Sequence, residues 1–382
     1  MNNIENTLLS LIKKSQFGIE DTINWNEVDM NALYEEAINQ SVIGIIASEI
    51  PSKYTNKKFV DAQYRQKRSY ILYCHAQDEL KQVLDDANIP FIILKGNAAA
   101  INYADSTCRM MGDIDILVPQ DLYDKTKDLL SSAGYEKGYD NGRHCGFKKD
   151  KISIEVHHHF SHFEDYDFEN YIIEGLDSRE VAIVDGHEFP MLPKLANGLV
   201  LLDHFRRHLQ SSVGLRQTID WMMYVYRNLD DAFWNNEFKA ILEEKGLVTL
   251  AVTLTRMCQL FLGLPDTITW CIDADDRNAE WLFELIISAG NFGRKNKKGY
   301  LVERVSVGIK REGLFHLLQR IGEKTWSAYQ KHHWLKPFCW IYQFFRFAIK
   351  FIKSGRNPAQ FKDDIARCDE RYELLKTLKV FQ

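Results

Sequence analysis

The chain has 382 residues, of which 45% are hydrophobic and 26% are charged, and its formal net charge at pH 7 is −5. This composition excludes a disordered chain, a collagen-like repeat and a polytopic membrane protein, and the length favours two or three packed units. The negative charge gives no general electrostatic reason to expect nucleic acid as an obligatory partner, because nonspecific binding to phosphate backbones requires a concentrated basic surface.

Cysteine usage and the N-terminus bear on the cellular compartment. The seven cysteines form no Cys-x-x-Cys pair, and an odd, scattered set of this kind is typical of reduced thiols in a core. The first residues lack the basic region, apolar stretch and cleavage site of a signal peptide. No window reaches the roughly 18 to 20 uncharged apolar residues of a membrane-spanning helix. These features predict a soluble, cytoplasmic protein.

Helical periodicity dominates the first part of the chain, where apolar residues recur three and four positions apart. Residues 1–88 are therefore predicted to form a helical N-terminal region. A mixed region of strands and helices is predicted over residues 89–190. Its elements are a strand at Phe91–Leu94, a short Ala-rich helix after Gly96, a strand at Ile114–Val118, a helix at Asp121–Ala133, a hairpin at about Gly146–Lys149 and Lys151–His157, and a weaker hairpin at Val181–Phe189.

Residues 191–382 are predicted to form an α-helical domain that begins after Pro193. The helices expected there include about 193–208, 215–227, 234–245, 248–262 and 278–288, with several more after Gly313. The predicted fold class is α+β, with a small mixed β-sheet between a helical N-terminal region and a large α-helical C-terminal region.

Two carboxylates flank the start of the second predicted strand, in the segment Gly112-Asp-Ile-Asp-Ile-Leu-Val118. Alternate residues of a strand point to the same face, so Asp113 and Asp115 are expected to project together, while Ile114 and Ile116 are buried on the other face. Oxygen ligands of this kind are what Mg²⁺ prefers, usually together with substrate phosphates.

A third carboxylate lies in the later strand Ile152-Ser-Ile-Glu-Val-His157, where Glu155 and His157 share one face. Three carboxylates suffice to position two metal ions in a phosphoryl transfer, so Asp113, Asp115 and Glu155 are predicted to be the metal ligands and catalytic residues. Upstream, Lys95 and Gly96 lie at a strand-to-helix turn, which is a typical site for a triphosphate. Arg109 is predicted to reach a phosphate or a carboxylate.

The order of these motifs resembles the uncharacterised nucleotidyltransferase family of bacterial proteins, within the polymerase β-like superfamily. The resemblance covers about Phe91 to Tyr226. The matching residues are Leu94-Lys95-Gly96, Arg109 with Gly112 to Val118, Glu155 with His157, and Arg216 with Asp220. Two positions depart from the superfamily pattern, because Lys95-Gly96 replaces the usual Gly-Ser and Glu155 stands where Asp is common.

This resemblance implies a polymerase β-like palm that transfers a nucleoside monophosphate from an NTP, with ATP the expected nucleotide, to an acceptor hydroxyl on an unknown small molecule or protein. It implies Mg²⁺ or Mn²⁺ as the cofactor. The residues that it implies for nucleotide binding are Lys95, Gly96, Arg109, Gly112 and His157, and those that it implies for the wall of the site are His204, Arg216 and Asp220. A non-catalytic nucleotide-binding regulatory or scaffold protein on the same fold is the alternative.

Several features have two interpretations. His157, His158, His159 and His162, with Cys145, could form a zinc site, but consecutive strand residues point in opposite directions. The basic segment Gly290–Gly299 is either a surface loop or a lid over a phosphate. The aromatic segment 334–353 is either a packed terminal helix, a dimer interface or a peripheral membrane contact.

Overall fold

The computed structural model describes residues 1–160, 166–210, 212–296, 307–353 and 369–381. His162, the end of the basic segment (residues 297–299) and one of the seven cysteines, Cys368, lie outside the described residues. The six other cysteines are unpaired and buried, as the sequence predicts.

The N-terminal region is helical, which confirms the prediction. Its helices are α1 (Asn3–Phe17), α2 (Met30–Gln40), α3 (Ile43–Ile46) and α4 (Lys57–Asp86). Asn2 and Glu5 form a capping box at the start of α1, in which each side chain accepts from the backbone N–H of the other residue. Helix α2 ends at Ser41, whose φ of 57° is left-handed.

A seven-stranded mixed sheet follows, in the order β3-β4-β5-β2-β1-β7-β6. The strands are β1 (Ile92–Leu94), β2 (Ile114–Leu117), β3 (Glu136–Asp140), β4 (His144–Lys149), β5 (Ile152–His157), β6 (Glu180–Val184) and β7 (His187–Met191). Strand β2 pairs antiparallel with β1 and parallel with β5. The sheet therefore places β2, with its two flanking carboxylates, near its centre.

Both predicted hairpins are present. The β6–β7 turn lies at Asp185-Gly186, and both of these residues have positive φ. The β4–β5 turn lies at Asp150-Lys151, and again both φ angles are positive. Such two-residue turns match the right-handed twist of the strands that they join. Strand β3 is an addition, because no pattern in the sequence had indicated it.

The remaining helices surround the sheet and form the C-terminal half. They are α5 (Gly96–Ala100), α6 (Tyr123–Ser132), α7 (Tyr166–Asp177), α8 (Lys194–Leu209), α9 (Leu215–Asn228), α10 (Asp231–Phe233), α11 (Lys239–Glu244), α12 (Val248–Leu262), α13 (Asp276–Ala289), α14 (Leu314–Thr325), α15 (Ser327–Lys331) and α16 (Cys339–Lys353). Residues 307–312 and 369–377 are also helical. A π-helical turn at Trp234–Phe238 joins α10 to α11. The α+β class is therefore confirmed.

The alternation of β2 divides the core into two apolar clusters. Ile114 and Ile116 pack on one face of the sheet with Leu130 of α6. Leu117 packs on the other face, in a larger cluster that contains residues of α8, α9 and the N-terminal helices. Asp115 shares that second face, because it alternates with the two isoleucines. Within the described residues, no helix has the length and apolarity needed to cross a membrane.

Candidate active site

Strand register brings the predicted acidic residues together. In the parallel β2–β5 pair, Asp115 lies opposite Glu155 and Leu117 lies opposite His157. In the antiparallel β1–β2 pair, Leu94 lies opposite Asp115, so the chain reaches Lys95 directly beside this carboxylate. Side chains from three neighbouring strands thus meet at one point of the sheet.

Asp115, Glu155 and His157 form a compact group of atoms that could hold a metal ion. One ligand atom from each lies within 4.8 Å of the other two. His157 Nε2 lies 3.0 Å from Asp115 Oδ1 and 3.4 Å from Glu155 Oε2. His157 therefore joins the predicted carboxylates in a possible metal site, although the sequence had indicated it for the nucleotide.

Asp113 lies on the same cavity, immediately before β2. The negative charge of Asp115, together with burial, raises the pKa of Asp113 to about 6. Mutual repulsion between carboxylates is the condition that a bound cation relieves. The arrangement is therefore compatible with Asp113 as a further oxygen ligand.

Lys95 neutralises the buried Asp115. Its Nζ lies 2.9 Å from Asp115 Oδ2, and it also lies 5.6 Å from the centre of the Phe160 ring. Burial favours the protonated form of Asp115, but the Lys95 ammonium and the hydrogen bond from His157 dominate and hold its pKa well below the usual range. Asp115 is therefore ionised near neutral pH.

The other members of this group respond to the same charges. Burial opposes the charge on Glu155, but hydrogen bonds from His157 and Tyr139 outweigh it and lower the pKa of Glu155. Burial also disfavours the imidazolium of His157, yet Asp115 and Glu155 raise its pKa above the ordinary value. Acid and base thus stabilise each other in their charged forms.

The buried carboxylate of Asp220 fixes the position of the Arg109 side chain. Its Nε and Nη2 donate to Asp220 Oδ1 and Oδ2 at 2.7 and 2.8 Å. Tyr103 Oη also donates to Asp220 Oδ1, at 2.7 Å. All three side chains are buried. Arg109 lines the cavity, whereas Asp220 does not line it and instead orients the guanidinium of Arg109.

Arg216 and His204 come from the two helices predicted to form the wall. Arg216 Nη1 donates to the carbonyl oxygen of Met110 at 3.3 Å, and burial with the nearby Arg109 lowers its pKa. Burial, reinforced by Lys95, lowers the pKa of His204 well below its usual value, so His204 is neutral. Both residues line the cavity.

These groups enclose a cavity of about 290 Å³. Ten of the eleven predicted site residues line it: Lys95, Gly96, Arg109, Gly112, Asp113, Asp115, Glu155, His157, His204 and Arg216. Their roles as metal ligands and nucleotide contacts stay predictions. The geometry brings them together from β1, β2, β5, α8 and α9.

The sequence did not assign several lining residues to this site, although it indicated His159 for the zinc alternative: Arg143, His144, His159, Phe160, Arg207, His208 and Phe292. His208 could have been found, because it lies one helical turn after His204 on the same face of α8. His144 stacks on His157 at 4.9 Å between ring centres, and its position opposite His157 in the β4–β5 pair depends on a register that no local pattern reveals.

The alternative interpretations also have structural outcomes. His158 points away from His157, since its Nε2 lies 2.8 Å from the carbonyl oxygen of Gly142 and its ring packs on Tyr123. Cys145 lies in the apolar cluster on the face of the sheet opposite Asp115.

In the basic segment, Arg294 donates to the Ile38 carbonyl and Lys295 pairs with Glu36. These two cations fasten the segment to α2, and Phe292 is its contact with the cavity.

Comparison with solved structures finds distant similarities. The antibiotic-resistance factor ANT(2'')-Ia in solution is 12% identical, with a TM-score of 0.35 over 46% of this chain and 94% of that chain. A crystal structure of ANT(2'')-Ia with adenylyl-2''-tobramycin gives 12% identity and a TM-score of 0.36, over 46% and 99% of the two chains. An antigenic nucleotidyltransferase-like protein from Paracoccidioides brasiliensis gives 15% identity and a TM-score of 0.34, over 51% and 95%.

No curated protein matches the chain. The profile of the family described as "Uncharacterised nucleotidyltransferase" matches residues 26–263, which is more than half of the 382 residues. The match includes α2 to α12 and every residue of the cavity except Phe292. The chain therefore belongs to the uncharacterised nucleotidyltransferase family.

Proposed function

We propose that this cavity binds a nucleoside triphosphate, with ATP the expected nucleotide, and transfers the nucleoside monophosphate to an acceptor hydroxyl with release of pyrophosphate. The observation that carries the proposal is the pairing of Asp115 and Glu155 on adjacent parallel strands, beside Asp113, in a cavity otherwise rich in cations. Carboxylates that hold a metal beside cations that hold phosphates are the two parts that phosphoryl transfer requires.

The donor set fits a divalent cation, Mg²⁺ or Mn²⁺. Asp115, Glu155 and His157 offer two carboxylates and an imidazole within 4.8 Å of one another, and Asp113 is destabilised as an anion by Asp115. Carboxylate oxygens suit both metals, and the imidazole suits Mn²⁺ better than Mg²⁺. When bound, the metal would supply positive charge to the reacting phosphate and lower the pKa of the attacking hydroxyl.

Cationic side chains of the cavity would bind the triphosphate. Five of the lining residues are lysine or arginine: Lys95, Arg109, Arg143, Arg207 and Arg216. Lys95 neutralises Asp115 in the free protein, and its flexible ammonium can move to a phosphate oxygen when the nucleotide enters. Arg109 is fixed by Asp220 and would therefore act as a rigid donor.

Glu155 is the expected acceptor-side residue. Its side chain is 25% exposed, against 2% for Asp115, so it faces the space that an acceptor would enter. In the reaction, the acceptor oxygen bonds to the α-phosphorus while the bond to the leaving pyrophosphate breaks. The acceptor's proton would pass to the ionised Glu155 carboxylate and then to water.

The proposal is tested first by binding. Calorimetry should detect ATP binding to the full chain in the presence of Mg²⁺ or Mn²⁺, and Asp115→Asn should weaken it. Asp121→Asn is the matched control, because Asp121 is an exposed acidic residue of the turn that follows β2. Absence of NTP binding with either metal would sink the proposal.

Turnover is the second test. With candidate hydroxyl acceptors, pyrophosphate release should fall at least about 10²-fold in Glu155→Gln, since such groups act mainly on the transition state. Tight ATP binding with no pyrophosphate release for any acceptor would instead favour the non-catalytic nucleotide-binding protein.

A further inference from the structure

The C-terminal part of the chain contains a helical hairpin, made of α14, α15, the 3₁₀ turn His333–Phe338 and α16, which we call the aromatic hairpin. Helices α14 and α16 cross closely at Gly322, where a Cβ atom would clash with the backbone carbonyl of Cys339. Thr325 Oγ1 donates to Gln343 Oε1 at 3.1 Å. Trp326 stacks on Tyr342 at 5.0 Å. The hairpin is thus internally well packed.

Its amphipathic helix is turned the opposite way from an ordinary surface helix. The residues of α16 buried against α14 include Cys339 and the polar Gln343. Large apolar side chains point to solvent instead, and Phe344, Phe345 and Ile349 are 49%, 60% and 52% exposed. A surface helix normally buries its apolar stripe and exposes its polar face.

The preceding turn and α14 extend this apolar surface. Trp334 and Phe338 are 72% and 47% exposed. Phe345 and Ile349 lie four positions apart, on one side of α16. Phe315 of α14 is 54% exposed and lies 5.7 Å from Trp340, measured between ring centres. Exposed apolar surfaces of this kind mark interaction sites.

The charge of the same segment is opposite to that of the chain. From Leu314 to Lys353, the bounds of the aromatic hairpin, there are seven lysine or arginine residues and one acidic residue, Glu323, whereas the whole chain has a net charge of −5. Lys331 and Lys336, which flank Trp334 in the sequence, are exposed, and Lys336 Nζ also lies 3.8 Å from Glu323 Oε1. An acidic chain has therefore concentrated basic residues in the segment that carries its exposed aromatic rings.

We infer that the aromatic hairpin binds the surface of an anionic lipid bilayer. Tryptophan and phenylalanine rings are favoured at the boundary between headgroups and acyl chains, and lysine and arginine are attracted to anionic headgroups. A protein partner would explain the apolar surface alone, but seven lysine or arginine residues against the single Glu323 over Leu314–Lys353 favour a uniformly anionic partner. This surface is separate from the residues of the cavity and would bring the enzyme to a membrane.

Vesicle flotation with the full chain tests the inference. We expect binding to phosphatidylcholine vesicles that contain one quarter phosphatidylglycerol to be at least about tenfold stronger than binding to phosphatidylcholine alone. Raising the salt to 0.5 M should reduce it, because screening weakens the attraction. Equal binding to both vesicles, or none, would overturn the inference.

Paired substitutions identify the surface. Phe345→Ser with Ile349→Ser should weaken binding to anionic vesicles at least about tenfold, through loss of inserted apolar area. Ile71→Ser with Leu72→Ser on α4 is the matched control, since these side chains are 51% and 49% exposed, and it should leave binding unchanged. Lys331→Glu with Lys336→Glu should weaken binding without removing any aromatic ring.

Two other outcomes would contradict a lipid partner. If wild type ignores vesicles but sediments as a dimer that Phe345→Ser with Ile349→Ser dissociates, a second copy covers the surface. If single-stranded oligonucleotides bind and the same variant loses them while vesicles do not bind, the partner is nucleic acid. Circular dichroism should confirm that each variant is folded.

Discussion

The buried pair of Arg109 and Asp220 joins the segment before β2 to helix α9. Removing one partner of a buried ion pair leaves the other charge uncompensated, which typically costs about 3–5 kcal/mol. We therefore expect Asp220→Asn to lower the free energy of unfolding by about that amount, measured by urea denaturation. Tyr103 also loses its acceptor charge in this variant, which acts in the same direction.

A second arginine–aspartate pair with the same geometry provides the control. Arg256 Nε and Nη2 donate to Asp276 Oδ1 and Oδ2 at 2.7 and 3.1 Å, but Asp276 is half exposed. Exposed pairs contribute about 1 kcal/mol or less, so Asp276→Asn should have a small effect. Similar losses in both variants would show that burial of the Arg109 pair is not what makes it important.

His208 makes stability depend on pH. Burial, with Arg207 and Lys95 nearby, lowers the pKa of His208 to about 3, whereas in an unfolded chain it titrates near 6.5. Between these values the unfolded chain binds more protons at His208 than the folded chain does. The folded state is therefore progressively destabilised as the pH falls below about 6.5, and this destabilisation is absent above that pH. From pH 7 to pH 5 the expected loss is about 1–2 kcal/mol.

The comparison of wild type with His208→Gln isolates this contribution. Asp113 acts with the opposite sign, because its raised pKa makes the folded chain bind the extra proton. The variant should lose less stability than wild type on acidification, whereas His332→Gln, at an exposed position, should behave like wild type. Parallel pH profiles for wild type and His208→Gln would contradict the assignment.

At the scale of elements, the β1–α5 turn places a lysine where a glycine would be favoured. Lys95 has φ 53° and ψ −135°, a conformation that costs an ordinary residue about 1–3 kcal/mol. Gly96 follows with φ 43°. The chain therefore accepts strain at Lys95, where the turn brings an ammonium to Asp115.

Two substitutions at Lys95 separate the strain from the charge. Both Lys95→Gly and Lys95→Ala remove the ion pair with Asp115, but only glycine adopts the turn freely. We expect Lys95→Gly to be more stable than Lys95→Ala by about 1–2 kcal/mol in thermal unfolding, although glycine usually destabilises relative to alanine. Both should weaken NTP binding. A more stable alanine variant would show that the turn is unstrained.

Local patterns predicted the elements that have one buried and one polar face. Strand β5 alternates between isoleucine or valine and polar residues, and α6 buries Leu130 at helical spacing. Strand β3 was missed because all five of its residues are exposed, so no alternation marks it. Its existence depends on pairing with β4, which is a non-local interaction.

The same distinction holds for the active site. Asp113, Asp115 and Glu155 could be predicted because each lies in or beside a strand with a clear period. The placement of His144, Arg207 and Phe292 beside them depends on how β4, α8 and a segment after α13 pack together. A single sequence contains no signal for such packing, since exposed and cavity-lining arginines have the same local context.

At the scale of the molecule, the N-terminal helices and the C-terminal helices share one core. The larger apolar cluster contains residues of α1, α2, α8, α9, α12 and α13. Hydrogen bonds join the same regions, because Gln40 donates to the Ile287 carbonyl at 3.0 Å and Asn291 donates to Ser41 at 2.7 Å. Helix α4 contributes Phe59 to this cluster and Leu80 to the cluster beneath the sheet.

This packing makes a prediction about the regions 1–88, 89–190 and 191–382 that the sequence suggested as units. Leu33 of α2 and Leu254 of α12 are both fully buried in the shared cluster, and each substitution by alanine should cost about 2–5 kcal/mol. In scanning calorimetry, Leu33→Ala and Leu254→Ala should lower the midpoint of the same transition, because neither region can keep its core without the other. If residues 1–88 folded as an independent unit, Leu33→Ala would shift a transition that Leu254→Ala leaves unchanged.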